Sequence, residues 1–405
     1  DDCEYDTYNS CIVNIELNAG NNLVSFTALP SDLGVDSFFE STDVYQIIGQ
    51  GVSAVINNGG GWVGSLTSIS PDAGYWVRTP NDGDVISSDS WDSSTSIGDV
   101  SYTLAEGSNL LSYPYSGSQA LSTAIPAEAT DVTYAIVGEG VAAINIGAWV
   151  GSLADNSGGL TGGKGYWFIT DLDGTDTETF SYNPPALDSE ARFVSGNPIP
   201  ETPEGFGYTQ STMQGFYFVE DATYDGTELC EDDWIVAYND NIVVGSWPWR
   251  GAYTTVPVMG YDQSSETAGY METGQLPTFK LFRSEDGTLN DMTVVGDFDS
   301  WSDNSVSVIT LSGETMLPTE ITLNGAYPNP FNPSTNISFE IPNQMQVSLA
   351  VYDISGRMVS QLINEVMSAD VYNVVWNANQ NASGMYIVKL TAGNATHTQK
   401  IMLIK

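Results

Sequence analysis

An all-β chain of four tandem sandwich- or barrel-like domains is predicted by three features of the 405-residue sequence. The first is composition: 40 Gly and 21 Tyr stand beside only 15% charged residues, which suits short strands joined by many turns. The second is the scarcity of apolar runs with a 3.6-residue period. The third is recurrence of the same motifs at a nearly constant interval through the first half, the mark of a duplicated module. A chain of this length exceeds one ordinary domain. The expected boundaries are 1–100 and 101–188 for the two repeats, 189–314 for a third β domain, and 315–405 for an immunoglobulin-like domain.

The repeats carry the clearest pattern. Leu17-Asn-Ala-Gly-Asn-Asn-Leu-Val-Ser-Phe26 returns as Leu104-Ala-Glu-Gly-Ser-Asn-Leu-Leu-Ser-Tyr113. Ile48-Gly-Gln-Gly-Val-Ser-Ala54 returns as Val137-Gly-Glu-Gly-Val-Ala-Ala143, and Trp62-Val-Gly-Ser-Leu66 as Trp149-Val-Gly-Ser-Leu153. Gly74-Tyr-Trp76 reappears at Gly165-Tyr-Trp167 after a four-residue insertion, which predicts an indel-tolerant surface loop near Asn156 to Gly163. Alternation in Asn22 to Phe26 and Tyr75 to Arg78 reads as strands, with glycines at turns that need positive φ. The copies resemble a module of secreted bacterial surface proteins that pairs a Gly-x-Asn-Leu-φ-Ser strand with a Gly-Tyr-Trp-φ strand. The aromatic pairs Tyr75/Trp76 and Tyr166/Trp167 have two readings: platforms for stacking pyranose rings, or core packing, which their strand context favours.

From about Ala191 the register of the repeats is lost, and Asn197 to Pro203 reads as an extended lead-in to the third domain. Its predicted strands are Met213 to Val219, Trp234 to Tyr238, Ile242 to Ser246 and Pro277 to Phe282, with a hairpin turn at Asn239 to Asn241. It resembles a module of type IX-exported proteins. Two acidic loops are calcium candidates, because alternate carboxylates can wrap a hard cation. They are Asp171, Asp173, Asp176 and Glu178, and the cluster Asp225, Glu228, Glu231, Asp232 and Asp233. Neither has the full EF-hand pattern, and a solvated acidic turn is the competing reading.

The chain carries 51 acidic and 10 basic residues, a formal charge of −41, which excludes nucleic acid and anionic membrane surfaces as partners. Residues 316–405 hold five acidic and four basic residues, leaving 46 and six for the rest, so an acidic body precedes a near-neutral tail. No run reaches the eighteen or so apolar residues of a membrane span. The sequence starts at Asp1 without a basic or apolar leader, and the expectation is an exported chain after signal-peptide removal. Cys3 and Cys11 are spaced to close a small disulfide loop in an oxidising compartment, which leaves Cys230 as a half-buried free thiol.

Residues 317–405 contain six ordered motifs: Tyr327-Pro-Asn-Pro-Phe-Asn-Pro-Ser334, Asn336 to Ile341, Leu349-Ala-Val-Tyr-Asp-Ile-Ser-Gly-Arg357, Tyr372 to Ala378, Ser383-Gly-Met-Tyr-Ile-Val-Lys-Leu390 and Gln399 to Lys405. In order and spacing they resemble the C-terminal sorting domain of type IX secretion substrates. The resemblance implies an immunoglobulin-like sandwich of about seven strands, recognition by the outer-membrane translocon, and removal or exchange for a surface anchor. It also marks Pro328, Asn329, Pro330, Phe331, Gly356, Arg357, Gly384, Tyr386, Lys400 and Lys405 as motif residues. Independently of it, Ile337, Phe339 and Ile341 share one face by period two, as do Tyr386 and Val388. Pro328 and Pro330 should hold the lead-in extended, and Ser355-Gly356 and Ser383-Gly384 should form hairpin turns. Lys400 to Lys405 should be an edge strand guarded by its lysines. Asn336, Asn381 and Asn394 begin Asn-x-Ser/Thr sequons, candidate glycosylation sites or chance matches.

Catalysis finds little support. The single histidine, His397, belongs to the last hairpin and reads as a surface residue, no Gly-x-Ser-x-Gly elbow exists, and nothing singles out a carboxylate pair. The expectation is a non-enzymatic extracellular or outer-surface protein. Two classes remain: a structural protein, such as a filament or matrix subunit that self-associates or joins other surface proteins through domains contacting mainly their neighbours, or an adhesin or carbohydrate-binding protein engaging glycans.

Overall fold

The computed structural model describes residues 14–88, 95–96, 100–154, 158–185, 201–314 and 318–405. Cys3, Cys11 and most of the Asn197–Pro203 lead-in lie outside these residues. Strands make up 51% and helix 4%, the latter, among the described residues, in three pieces of at most six residues. The fold class is therefore all-β. The chain divides into two units, Asp1–Glu314 and Thr315–Lys405.

The duplicated motifs build duplicated sheets. In the first copy five strands lie in the order Gly20–Val24, Tyr75–Thr79, Gln46–Gly49, Val52–Ile56, Trp62–Gly64. In the second the order is Gly107–Ser112, Gly165–Thr170, Thr133–Val137, Ala142–Asn145, Trp149–Val150, with each strand at the corresponding place. Inward-facing residues of each sheet close a separate core, around Phe26, Phe38, Ile47 and Val77 in the first copy and Tyr113, Ile136, Leu160 and Phe168 in the second. Gly64 and Gly151, the glycines of the repeated Trp-Val-Gly-Ser-Leu motif, have φ of 152° and 116°. A Cβ there would lie 2.1 Å from the Ser53 carbonyl and 2.6 Å from the Ala142 carbonyl, so main chain occupies the space a side chain would need.

The insertion in the second copy is not a free surface loop over its described part. Leu160–Thr161 pairs with Ser118–Gln119, Leu160 is fully buried, and a Cβ on Gly159 would meet the Gln119 carbonyl at 2.1 Å. Leu160 stands where Ile69, 2% exposed, stands in the first copy, so the anchor belongs to the shared module and the extra residues precede it.

In the third module eight strands form one strongly bent sheet, the short Thr227–Glu228 pairing with Gln214–Tyr224. Its order is Gln214–Tyr224, Val306–Gly313, Leu289–Val294, Thr278–Phe282, Trp234–Asn239, Ile242–Pro248, and Thr254–Met259 pairs back on the first. Gln214–Tyr224 runs parallel to Val306–Gly313. The sheet curls towards closure where Ile242–Pro248 meets Thr254–Met259: a Cβ on Gly245 would sit 1.6 Å from the Pro257 carbonyl. Trp301 is buried in this core and donates its indole N–H to the Val258 carbonyl at 2.9 Å. The turn at Asp240 and Asn241 links Asn239 to Ile242, with Asp240 at φ 52°.

These modules are not a string that touches only at successive joints. Phe216 and Phe218 pack against Ala135, Val137, Ala142 and Ile144 of the second copy. The third module also reaches back to the first copy: Asn21 Nδ2 donates to the Gln210 carbonyl at 2.9 Å and to Asp262 Oδ2 at 3.0 Å. Arg78 lies 3.8 Å from Asp262, whose side chain is 2% exposed. Burial opposes the Asp262 charge, but hydrogen bonds from Thr267 and Ser264 and the Arg78 guanidinium outweigh it and hold the carboxyl below its ordinary value.

In Thr315–Lys405 seven strands form two facing sheets, the immunoglobulin-like arrangement expected. One has the order Thr322–Tyr327, Ser334–Ile341, Asp370–Asn377; the other Met358–Met367, Met345–Asp353, Gly384–Ala392, Ala395–Leu403. Ile337, Phe339, Ile341, Tyr386 and Val388 all turn into the core between them.

Because Gly151 combines positive φ with Phe218 Cε1 2.5 Å from its virtual Cβ, Gly151→Val is expected to cost about 2–4 kcal/mol, the sum of strain and overpacking. Thermal unfolding should show the body transition several degrees lower, with the tail transition unmoved.

Candidate functional site

The aromatic pairs proposed as sugar platforms are not on the surface. Tyr75, Trp76 and Tyr166 are 2%, 2% and 3% exposed, and Trp167 is half-buried. Each tyrosine turns into its own core and pins the preceding turn, with the Ser70 N–H donating to Tyr75 Oη at 2.7 Å and the Thr161 N–H to Tyr166 Oη at 2.8 Å. Each tryptophan faces the other way, Trp76 onto Leu23 and Leu110, Trp167 onto that cluster and onto the third module. Both strand faces are covered, so packing is the role the structure gives all four.

The acidic loops stay open. Asp171, Asp173 and Asp176 are exposed, and Glu178 lies in the strand Thr177–Phe180 opposite Leu104. In the second cluster Asp233 is buried and accepts from the Cys230 N–H at 3.0 Å and the Ser284 N–H at 3.1 Å, so it organises a turn, while Glu228, Glu231 and Asp232 face solvent. Among the described residues no three His, Cys, Asp or Glu side chains are grouped to hold a metal ion. Cys230, expected half-buried, is exposed at this turn because its strand has already ended.

Tail motifs that are far apart in sequence gather at one pole of the sandwich. Phe331 is 2% exposed and packs at a tilt on Trp376, ring centroids 5.4 Å apart, and Trp376 in turn meets Tyr386 edge-on at 5.2 Å. Tyr386 donates its hydroxyl to the Ala382 carbonyl at 2.7 Å, a tyrosine corner that fixes the crossing between the sheets. Asp353 lies opposite Tyr386, and Tyr386 opposite Ile401, so the turn 353–357 and the last strand sit beside this aromatic column. Within the turn, Asp353 Oδ1 accepts from the Ser355 hydroxyl at 2.6 Å and from the Ser355 and Arg357 N–H groups at 3.0 and 3.1 Å. The Arg357 Nε donates to Oδ2 at 3.1 Å, and Gly356 takes φ 81°. These hydrogen bonds, the Ser355 hydroxyl's first, hold the Asp353 carboxyl down at about 2 against desolvation.

Three details differ from the sequence reading. Residues 328–333 are a chain of bends, with cis peptides before Pro328, Pro330 and Pro333, rather than an extended lead-in. The bends turn Phe331 into the core and lay the segment along the last strand: the Phe331 N–H donates to the Met402 carbonyl at 2.9 Å and the Ile404 N–H to the Phe331 carbonyl at 3.0 Å. Asn329 completes the contact, donating to the Lys400 carbonyl at 3.2 Å and accepting from the Met402 N–H at 2.9 Å. Thus the edge of the last strand is covered by Asn329 and Phe331, not guarded by lysine charge; Lys405 instead donates to the Asn379 carbonyl at 2.7 Å. Ser383-Gly384 begins a strand after an inter-sheet crossing, and Ser383 Oγ accepts from the Lys405 N–H at 3.1 Å.

His397 is half-buried in the strand Ala395–Leu403 rather than exposed. Of the sequons, Asn336 is exposed mid-strand and donates to Asn373 Oδ1 at 3.3 Å, Asn381 sits in a turn and Asn394 is exposed at the last hairpin. Around the pole, Ile354, Met385, Met402 and Ile404 are exposed beside Arg357 and Lys400, an apolar surface with cations.

Phe331→Ala should destabilise the tail by about 3–5 kcal/mol in chemical denaturation. Asn329→Ala, by leaving one donor and one acceptor of the last strand unpaired, should cost about 1–3 kcal/mol and speed amide exchange at Met402. The Asp353 carboxyl should titrate near 2 by carbon-13 NMR, and Ser355→Ala should raise that value. Since the folded value is depressed, the turn's stabilisation is complete above the unfolded carboxylate range near 4 and is lost as pH falls through about 2.

Residues 325–405 match the family model described as the secretion system C-terminal sorting domain. No curated protein matches the chain. Among solved structures, the crystal structure of dimeric latent PorU from Porphyromonas gingivalis aligns at 12% identity over 68% of this chain and 30% of that one, with a TM-score of 0.18. The chain therefore spans under a third of that protein's length, and an overlap so loose carries no argument. The sorting-domain match and the convergence of its motifs at one pole agree: the protein carries a type IX secretion sorting tail on residues 325–405 and is exported to the cell surface or extracellular space.

Proposed function

We propose that the exported body, residues 1–314, is a non-enzymatic structural component of the cell surface, of the kind that builds an extracellular filament or matrix. The observation that carries this reading is that Trp76, packed on Leu23 and Leu110, and Trp167, packed on that cluster and on the third module, are joints between modules, while Tyr75 and Tyr166 fill the module cores. A body whose aromatic residues lock three modules together is suited to bear load and present surface. Its 46 acidic against six basic residues keep it dissolved and apart from anionic surfaces once outside. During export the partner is the type IX machinery, engaged through the tail.

Adhesion is the second reading. It is favoured by the exposed apolar pair Val55 and Val63 on the first copy, 42% and 46% accessible, a patch outside the joints. Electron microscopy of the purified protein, with and without a chelator, separates the two. Ordered filaments or sheets are the expected result; discrete single particles in both conditions would remove the assembly reading, and glycan-array binding by those particles would establish the second.

A further inference from the structure

The two repeated modules meet along a seam whose contacts come in matched pairs. The Ser25 N–H donates to the Gly163 carbonyl at 3.0 Å, and its counterpart, the Ser112 N–H, to the Asp72 carbonyl at 3.1 Å. Val24 forms a β-bridge with Lys164, and its counterpart Leu111 with Ala73. The Glu139 carboxylate accepts from the Leu23 N–H at 3.0 Å, and the corresponding Gln50 amide oxygen accepts from the Leu110 N–H at 2.9 Å. Both serine hydroxyls donate to carbonyls across the seam, Ser25 to Lys164 at 2.6 Å and Ser112 to Pro71 at 2.7 Å. At the centre the glycines of the two Gly-Tyr-Trp motifs face each other: a Cβ on Gly74 would lie 3.2 Å from Gly165 Cα, and one on Gly165 would lie 3.2 Å from Gly74 Cα.

A contact in which i meets j′ and i′ meets j is isologous, the arrangement of a closed twofold dimer. Here both halves belong to one chain. The strands involved, Gly20–Val24 and Gly107–Ser112, end their sheets, so their outward N–H groups would be open to any passing strand. Each module caps the other's edge with the side chain at position 50 or 139 and brings main chain to main chain where only glycine fits.

We propose that the Gly-x-Asn-Leu-φ-Ser and Gly-Tyr-Trp motifs together form a recognition surface whose partner is a second copy of the same module, supplied in this chain by the tandem repeat. The inference goes beyond the structural reading of the body and does not depend on it, because an adhesin could be built on the same pair. Since an isologous seam closes after two copies, it joins modules within the chain and leaves growth of any larger assembly to other surfaces.

The seam's two sides differ in charge. Glu139 also pairs with Lys164 at 3.0 Å, whereas Gln50 donates to the Ser108 carbonyl at 2.8 Å and Ala73 stands where Lys164 does. This difference supplies the test. A protease site is placed within residues 89–99 of the full chain, and the nicked protein is sized by light scattering without denaturant. The nicked chain is expected to remain one particle. Gly74→Leu should fall into two fragments on nicking. Asn21→Ala with Arg78→Ala, which cuts the third module's links to the first copy, should stay joined. Gln50→Glu with Ala73→Lys, which gives the first copy the second copy's pair, should also stay joined. Separation of the nicked parent or of either double variant, or persistence of nicked Gly74→Leu as one particle, overturns the proposal. Circular dichroism before nicking checks folding, and if Gly74→Leu is misfolded the two double variants still decide.

Discussion

Two glycines, Gly74 and Gly165, approach until a Cβ on either would lie 3.2 Å from the other's Cα, and the seam between the two repeats is built around that contact. Because the backbones meet there, the flanking strands can exchange hydrogen bonds across the module boundary, and the residues after each glycine are committed to opposite faces: tyrosine into the module core, tryptophan onto the neighbouring sheet. A Cβ on Gly165 would lie 2.9 Å from the Val24 carbonyl and one on Gly74 3.0 Å from the Leu111 carbonyl, so a side chain at either site presses on the main chain that carries the seam. Close main-chain packing of this kind needs no side-chain chemistry, which is why the seam is rich in Gly, Ser and Leu and poor in charge.

The third module then breaks the pseudo-symmetry of the pair. It covers the outer sheet face of the second copy, where Ile144 is 6% exposed, while the corresponding Val55 of the first copy is 42% exposed. Sequence divergence tracks this asymmetry. Where the second copy has Ala135 and Ile169 on the covered face, the first has Gln46 and Arg78, and Arg78 serves as an ionic contact to Asp262 rather than an apolar one. One duplicated scaffold thus supports an apolar joint on one half and a smaller polar one on the other.

In the tail the same economy of main-chain contact appears at the pole. Asn329 and Phe331 lie along the free edge of the last strand, and Phe331 simultaneously completes the aromatic column with Trp376 and Tyr386. Motifs separated by seventy residues are in this way one structural element. Beside this pole, Asp353 and its hydrogen bonds hold the adjoining turn.

Much of this was readable from residue order. Alternation at Ile337, Phe339 and Ile341, the repeat of Gly-Tyr-Trp, and the turn at Asn239 to Asn241 each express a local rule, period two or positive φ, that operates wherever the strand ends up. Strands that escaped notice broke the rule locally. Thr254–Met259 contains Pro257, which is tolerated because only one side of that strand is hydrogen-bonded, and Met358–Met367 pairs across two bulges that scramble its alternation. The sequence by itself determined the all-β class, the duplication and the sorting tail, because period and motif order survive any arrangement of the strands. Only the tertiary structure decided that Trp76 and Trp167 are joints rather than platforms, that the segment after the insertion is held down by Leu160, and that Asn329 and Phe331 seal the last strand. Those outcomes depend on what lies across from each residue in space, and a neighbour ninety residues away leaves no mark on the local pattern.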